Sequence, residues 1–161
     1  MRWIVYGQQA KYNRHVSSSF RYTLIAAVHL VLLRGGRVLL ARRYQTGYED
    51  GNYSLPAGHL DAEETCLQAM QREAQEEIKL ELKTEQLHFA HLMHRNDGGR
   101  PSLDLFFVCE KWGGEPSIGE PHKCDELRWC AIDQLPSNTI PYIRQALTEI
   151  VKQQQFSTRG F

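Results

Sequence analysis

The sequence predicts an α/β layered domain built on a mixed β-sheet. Three observations predict it: short β-branched and aliphatic runs split by glycine turns, one strongly periodic helix in the middle, and a second helix near the end. At 161 residues the chain is long enough for one domain with a real core.

"RYTLIAAVHLVLL" reads as a strand, Arg34-Gly35-Gly36 as a turn, and "RVLLARR" as the returning strand. The apolar run from Leu24 to Leu33 is too short to span a bilayer, and His29 interrupts it. Upstream, "MRWIVYGQQAKYNRHVSSSF" lacks the apolar core and cleavage site of a signal peptide. Residues 1–20 are expected to form an arm or an extra strand, and residues 21–161 the domain proper. Tyr44 to Asn52 is polar and reads as a loop, and "YSLPAG" is an extended piece halted by Pro56.

A helix follows. Thr65 and Gln68 have capping-box spacing, and Leu67, Met70, Ala74 and Ile78 recur on one face. "ELKTEQLHFAHLMHR", "SLDLFFVCEKW" and "ELRWCAI" read as extended segments. Gly113 to Lys123 carries three glycines and two prolines and is expected to be a mobile loop. A last helix is expected over about Thr139 to Gln154.

Nineteen basic residues balance nineteen acidic ones, so no overall charge attracts nucleic acid polymers or an anionic membrane. Cys66, Cys109, Cys124 and Cys130 form no C-x-x-C pair. They read as reduced thiols of a cytoplasmic protein. His122 and Cys124 find no second ligand pair with zinc spacing.

One stretch resists a purely structural reading. Glu73, Glu76 and Glu77 share a helix face at i, i+3 and i+4. Like charges so spaced destabilise a helix by about 0.2–0.5 kcal/mol per pair. Three carboxylates on one face also supply hard oxygen ligands for Mg²⁺ or Mn²⁺, and a cation removes their repulsion. Gly58, without a side chain, lets its carbonyl approach such an ion.

The wider segment "GHLDAEETCLQAMQREAQEEIKL" resembles the signature of the Nudix hydrolases, G-x5-E-x7-R-E-U-x-E-E-x-G-U with U bulky and apolar. It matches at Gly58, Glu64, Arg72, Glu73, Glu76, Glu77 and Leu80, with Ala74 a small occupant of an apolar position. Six such positions at ordinary residue frequencies coincide roughly once in 10⁷ trials, against about 10² starting points in a chain. The resemblance extends over roughly Tyr22 to Gln154 and takes in "DELRWCAIDQLP". It implies a Nudix-like α/β/α sandwich. Lys79 departs from the pattern: it stands where the family usually has glycine, so either the helix ends differently or the lysine charge favours the negative helix end.

The resemblance further implies Mg²⁺- or Mn²⁺-dependent hydrolysis of a nucleoside diphosphate linked to a group X. Gly58, Glu73, Glu76 and Glu77 would be ligands, with Glu64 supporting the site through Arg72. Glu73 and Glu76 are both candidates for general base, and Glu126 is the best candidate outside the box. Arg42, Tyr44, Tyr48 and Asp125 are candidate substrate contacts. The SQPWPFPxS array of the NADH-cleaving group is absent, as are the marks of ADP-ribose, dinucleoside-polyphosphate and coenzyme A hydrolases. Elimination leaves a nucleoside triphosphate, canonical in base or modified, cut to a monophosphate and pyrophosphate. Other diphosphates, a non-catalytic nucleotide sensor and an isomerase stay open. The expected partner is a small nucleotide, with no polymer and no membrane, acting on a monomer or homodimer.

Overall fold

The computed structural model describes residues 22–161, and the arm expected over residues 1–20 lies outside them. β1 (Ile25–Arg34) stands inside an eight-stranded mixed sheet. Val28, Leu30 and Leu32 face one core and Val31 the other. Both faces of the strand are covered, so it reads as a continuous apolar run.

Along one edge β1 runs parallel to β6 (Ser102–Cys109). Along the other edge it changes partner. Ala27 to His29 pair with β4 (Ala57–His59), and Leu33 and Arg34 pair with β2 (Arg37–Arg43). Pro56, which has no N–H to donate, separates β4 from β3 (Tyr53–Ser54), and its carbonyl accepts from Leu30 N–H at 2.8 Å. The cleft described below opens between β2 and β4. β3 and β7 (Cys124–Ala131) complete the β2 side. On the far side β6 pairs with β5 (His88–Arg95), which runs parallel to β8 (Phe156–Arg159).

Two helices cover the sheet. α1 (Cys66–Ile78) buries Ala69, Met70, Ala74 and Ile78 against Val28, Leu30, Leu32 and Phe107. α2 (Pro141–Val151) buries Ile143, Ala146 and Leu147 against Val31, Val38, Met93 and Phe106. Each fully buried aliphatic side chain contributes about 1.5–3 kcal/mol, so the two clusters dominate stability. The four cysteines are free, and no described helix is long and apolar enough to cross a membrane.

The expected α/β layers are present, with three local corrections. A 3-10 turn at Thr84–Gln86 interrupts the segment expected to be extended before β5. α2 starts at Pro141, two residues later than expected, because Thr139 bridges to Tyr53. β8 was not expected at all: it is short, and His91 holds it from the neighbouring strand. One ring nitrogen of His91 lies 2.7 Å from the Gln154 carbonyl, the other 2.8 Å from Ser157 Oγ.

The end of α1 corrects two further expectations. Lys79 does adopt the left-handed conformation (φ 58, ψ 31) that glycine would favour, and the helix ends there. The strain, about 1–2 kcal/mol, is offset by caps. The segment expected to be mobile supplies them: Ser117 N–H donates to the Ile78 carbonyl at 3.0 Å and Gly119 N–H to the Glu77 carbonyl at 2.8 Å. These carbonyls have no partner within the helix. Gly119 is required for the approach, since a Cβ there would lie 1.9 Å from the Glu76 carbonyl oxygen. Gly119→Ala is expected to destabilise the protein by about 1–3 kcal/mol, read as a lower Tm. An unchanged Tm would mean the loop is not docked as described.

Candidate active site

The acidic edge of α1 is organised by its cap and by one arginine. Gln68 N–H donates to Thr65 Oγ1 at 3.2 Å, and Thr65 N–H donates to Gln68 Oε1 at 2.9 Å, which closes the capping box and fixes where the helix begins. Arg72 follows nearly two turns later. Its Nη2 and Nε donate to the Glu64 carboxylate at 2.8 and 3.2 Å, and its Nη2 also to the His59 carbonyl at 3.1 Å. Its Nη1 donates to Glu73 Oε1 at 2.7 Å and to Glu76 Oε2 at 3.4 Å. One guanidinium thus ties the strand, the approach to the helix and two helix carboxylates together. Arg72 and the Asp61 N–H hold the Glu64 carboxyl below its ordinary range.

Glu73 and Glu77 turn inward, toward β4. Gly58 makes room: a Cβ there would lie 1.7 Å from Glu73 Oε1. Burial raises the Glu73 carboxyl, opposed by Arg72. Glu77 accepts a hydrogen bond from Ala57 N–H at 2.9 Å. Burial nevertheless pushes it up to about 8, with the Glu73 and Glu120 charges adding to the effect. Glu76 stays exposed and meets Glu73 only through Arg72.

These residues form one end of a cleft of about 670 Å³. The sequence-predicted residues Gly58, Glu73, Glu77, Arg42 and Tyr48 line it, whereas Tyr44, Glu64, Arg72, Glu76, Asp125 and Glu126 do not. Arg42 and Asp125 are joined to each other by contacts of 2.7 and 3.1 Å. Glu126 lies on β7, 3.1 Å from Arg42 Nη1, and accepts from Tyr53 Oη at 2.8 Å. It is therefore drawn toward Arg42 and not toward the helix glutamates. The carboxylate outside the box that does stand beside Glu73 and Glu77 is Glu120, delivered by the docked loop. Its Oε1 accepts from Lys123 Nζ at 2.8 Å. Nothing in its surroundings, "SIGEPHKC", marks it in the sequence.

The donor set fits a hard divalent cation in chemistry: Glu73 carboxylate oxygens pack on a glycine that leaves them space, and desolvation raises the neighbouring Glu77 in a way a cation would relieve. Among the described residues no group of three acidic, histidine or cysteine side chains stands ready-made to hold a metal, and Arg72 engages Glu73 and Glu76.

Comparison with known proteins places this architecture. The family model described as NUDIX domain matches residues 23–153. A protein of Chromobacterium violaceum named NAD-capped RNA hydrolase NudC is 32% identical over 122 residues, covering 74% of this chain and 43% of that protein. A protein of the same name from Stutzerimonas stutzeri is 28% identical over 131 residues, 81% of this chain and 45% of that one. The chain thus spans less than half the length of these curated relatives. The crystal structure of a MutT NUDIX hydrolase from Burkholderia pseudomallei superposes with a TM-score of 0.72 at 27% identity, covering 79% of this chain and 98% of that one.

Two predictions follow from the geometry. With its folded value near 8 against an ordinary 4.5, Glu77 keeps a proton that the unfolded chain has lost over that interval. Its contribution to stability is complete below the lower value and is lost as pH rises through the upper one. Thermal melts in EDTA are expected to show Glu77→Gln gaining on wild type as pH rises from about 5 to about 8. Parallel curves would contradict the buried, protonated carboxyl. Gly58→Ala displaces only the flexible end of Glu73, so it should fold normally. It is expected to weaken divalent-cation binding by about 10–100-fold, measured by calorimetric titration; wild-type affinity would separate Glu73 from cation binding.

Proposed function

The chain belongs to the Nudix hydrolase family, and from that premise we propose that it hydrolyses the pyrophosphate link of a nucleoside diphosphate joined to a further group. The observation that carries this reading is the grouping of buried Glu73, packed on Gly58, half-buried Glu77 and Glu120 along a nucleotide-sized cleft. Gly58, Glu73, Glu76 and Glu77 are the groups that would hold Mg²⁺ or Mn²⁺. When bound, the cation supplies polarised phosphoryl oxygens, charge neutralisation and an acidified water.

The chain's own residues do the rest. Arg72, fixed by Glu64, orients Glu73 and Glu76. Water forms a new P–O bond as the bridging P–O bond breaks, and its proton passes to a carboxylate. Glu120 suits that role better than Glu126, because it lines the cleft with Glu73 and Glu77, while its Oε1 accepts from Lys123 Nζ. Lys123, which lines the cleft, would meet the outgoing phosphate.

The finer reading is a nucleoside triphosphate, normal or modified, cut to the monophosphate and pyrophosphate. The missing marks of other subfamilies and the likeness to a MutT NUDIX hydrolase support it. A second reading, cleavage of a dinucleotide or a capped RNA end, is favoured by the names of the curated relatives, although the SQPWPFPxS array is absent.

The test is a substrate panel with Mg²⁺, with and without EDTA: nucleoside triphosphates, ADP-ribose, sugar nucleotides, NAD and NAD-capped RNA. EDTA-sensitive pyrophosphate release from a triphosphate is expected. Release of nicotinamide mononucleotide instead would establish the second reading, and silence from folded, metal-loaded protein would favour a binding module. Glu76→Gln and Glu77→Gln should each lower turnover by orders of magnitude, and Glu64→Gln by about 10–100-fold as a supporting residue. Wild-type turnover in the first two would sink the ligand assignment.

A further inference from the structure

The far end of the cleft holds a second constellation, on β5, β6 and α2. Arg95 is the last residue of β5. Its Nε donates to Asp104 Oδ2 at 2.7 Å, and Asp104 is wholly buried. Ser102 Oγ donates to the same oxygen at 3.2 Å. The guanidinium lies 4.1 Å from the centroid of the Tyr142 ring, and Tyr142 is itself buried. A buried carboxylate and an aromatic face therefore fix the plane of this arginine.

Its terminal nitrogens are not used in the same way. Among the described residues neither Nη1 nor Nη2 of Arg95 donates a hydrogen bond. Asp97 is the nearest further acid, 4.0 Å from Nη1, and it already accepts from Arg159 Nε at 3.0 Å. Neither nitrogen is fully buried, so both can reach a ligand in the cleft. Arg95 has only 15% of its side chain exposed and lines the cleft. It is a preorganised fork of donors whose ordering cost is already met by its neighbours.

Position along the cleft selects the ligand. Arg95 and Arg159 are matched by Asp104 and Asp97, and Arg100, which also lines this end, is exposed. The acidic helix edge marks the phosphate end of the cleft. Arg95 lies across the sheet from it, on β5, three strand spacings of about 4.8 Å from β4. Ile25 and Ala27 of β1, both lining the cleft, give an apolar floor between the two ends. A neutral base edge with adjacent acceptors fits a guanidinium fork. The O6 and N7 atoms of an oxopurine are such a pair, whereas adenine turns its N6 donor toward the guanidinium donors.

We propose that Arg95, pinned by Asp104 and Tyr142, is the base-reading group of the cleft and selects an oxopurine nucleotide over an adenine one. This rests on the nucleotide-hydrolase reading, so its test does not use turnover. Binding of GMP, IMP, AMP and 7-deaza-GMP, which carry no pyrophosphate link to cut, is measured calorimetrically with and without Mg²⁺. GMP and IMP are expected to bind at least about tenfold more tightly than AMP, and 7-deaza-GMP, lacking the N7 acceptor, to fall toward AMP. Arg95→Met, checked for folding by its melting curve, should abolish the preference. Equal or tighter binding of AMP, an undiminished affinity for 7-deaza-GMP, or no binding of any of the four would overturn the proposal. The 7-deaza arm needs no variant and stands even if Arg95→Met unfolds. A protein that keeps the GMP preference but turns over no nucleotide would sink the hydrolase reading alone and leave this one standing.

Discussion

A carboxyl buried beside two others must either keep its proton or be given a cation. Glu77 is in that position, with Glu73 and Glu120 as neighbours and a backbone N–H as its hydrogen-bond donor. Like charges in a partly desolvated setting repel far more strongly than in water, and neutralisation by protonation is the default escape. The surrounding structure keeps that tension in place. Arg72 absorbs the charge of Glu73 and Glu76 without reaching Glu77. Gly58 leaves the space a side chain would fill, and the loop capped onto α1 brings a further carboxylate in. The crowding of the carboxylates itself does not help the helix to fold. Together these features make sense as a site that keeps a hard cation's ligands assembled.

The sheet explains why the cleft lies where it does. β1 exchanges β4 for β2 partway along its length, and the two partners diverge. β4 stays against the acidic edge of α1, and β2 carries Arg42 and Arg43 to the opposite wall. The continuous β1–β6 pairing forms the floor and runs on to Arg95 and Asp104. A central strand therefore connects an acidic end suited to a cation and phosphates with a donor-bearing end. The same strand contributes to both cores, so the site rests on the buried centre of the sheet.

Much of this was legible in the chain, for physical reasons. The capping box, the apolar stripe of α1 and the Arg72–Glu64 pair are local in sequence or one helix face apart, and spacing alone exposes them. The β1–β2 hairpin is announced by Gly35-Gly36. What could not be read depends on contacts between distant segments. Glu120 becomes a neighbour of Glu77 only because Ser117 and Gly119 cap carbonyls some forty residues earlier in the chain. The pairing of Arg42 with Asp125, 83 residues apart, arises only from the β2–β7 register. β8 has neither length nor alternation, and its place is set by the two bonds of His91. Lys79 shows the limit of a residue rule: the left-handed cap forms without glycine because the docked loop stabilises it.

The central claim is that the inward-facing carboxylates beside Gly58 are cation ligands. Anomalous diffraction from crystals grown with Mn²⁺ tests it most directly. The account predicts an anomalous peak within bonding distance of Glu73 and Glu77 carboxylate oxygens and next to the Gly58 carbonyl. A fully occupied Mn²⁺ elsewhere, with Glu77 still protonated against Ala57 and Arg72 still engaging Glu73, would contradict it.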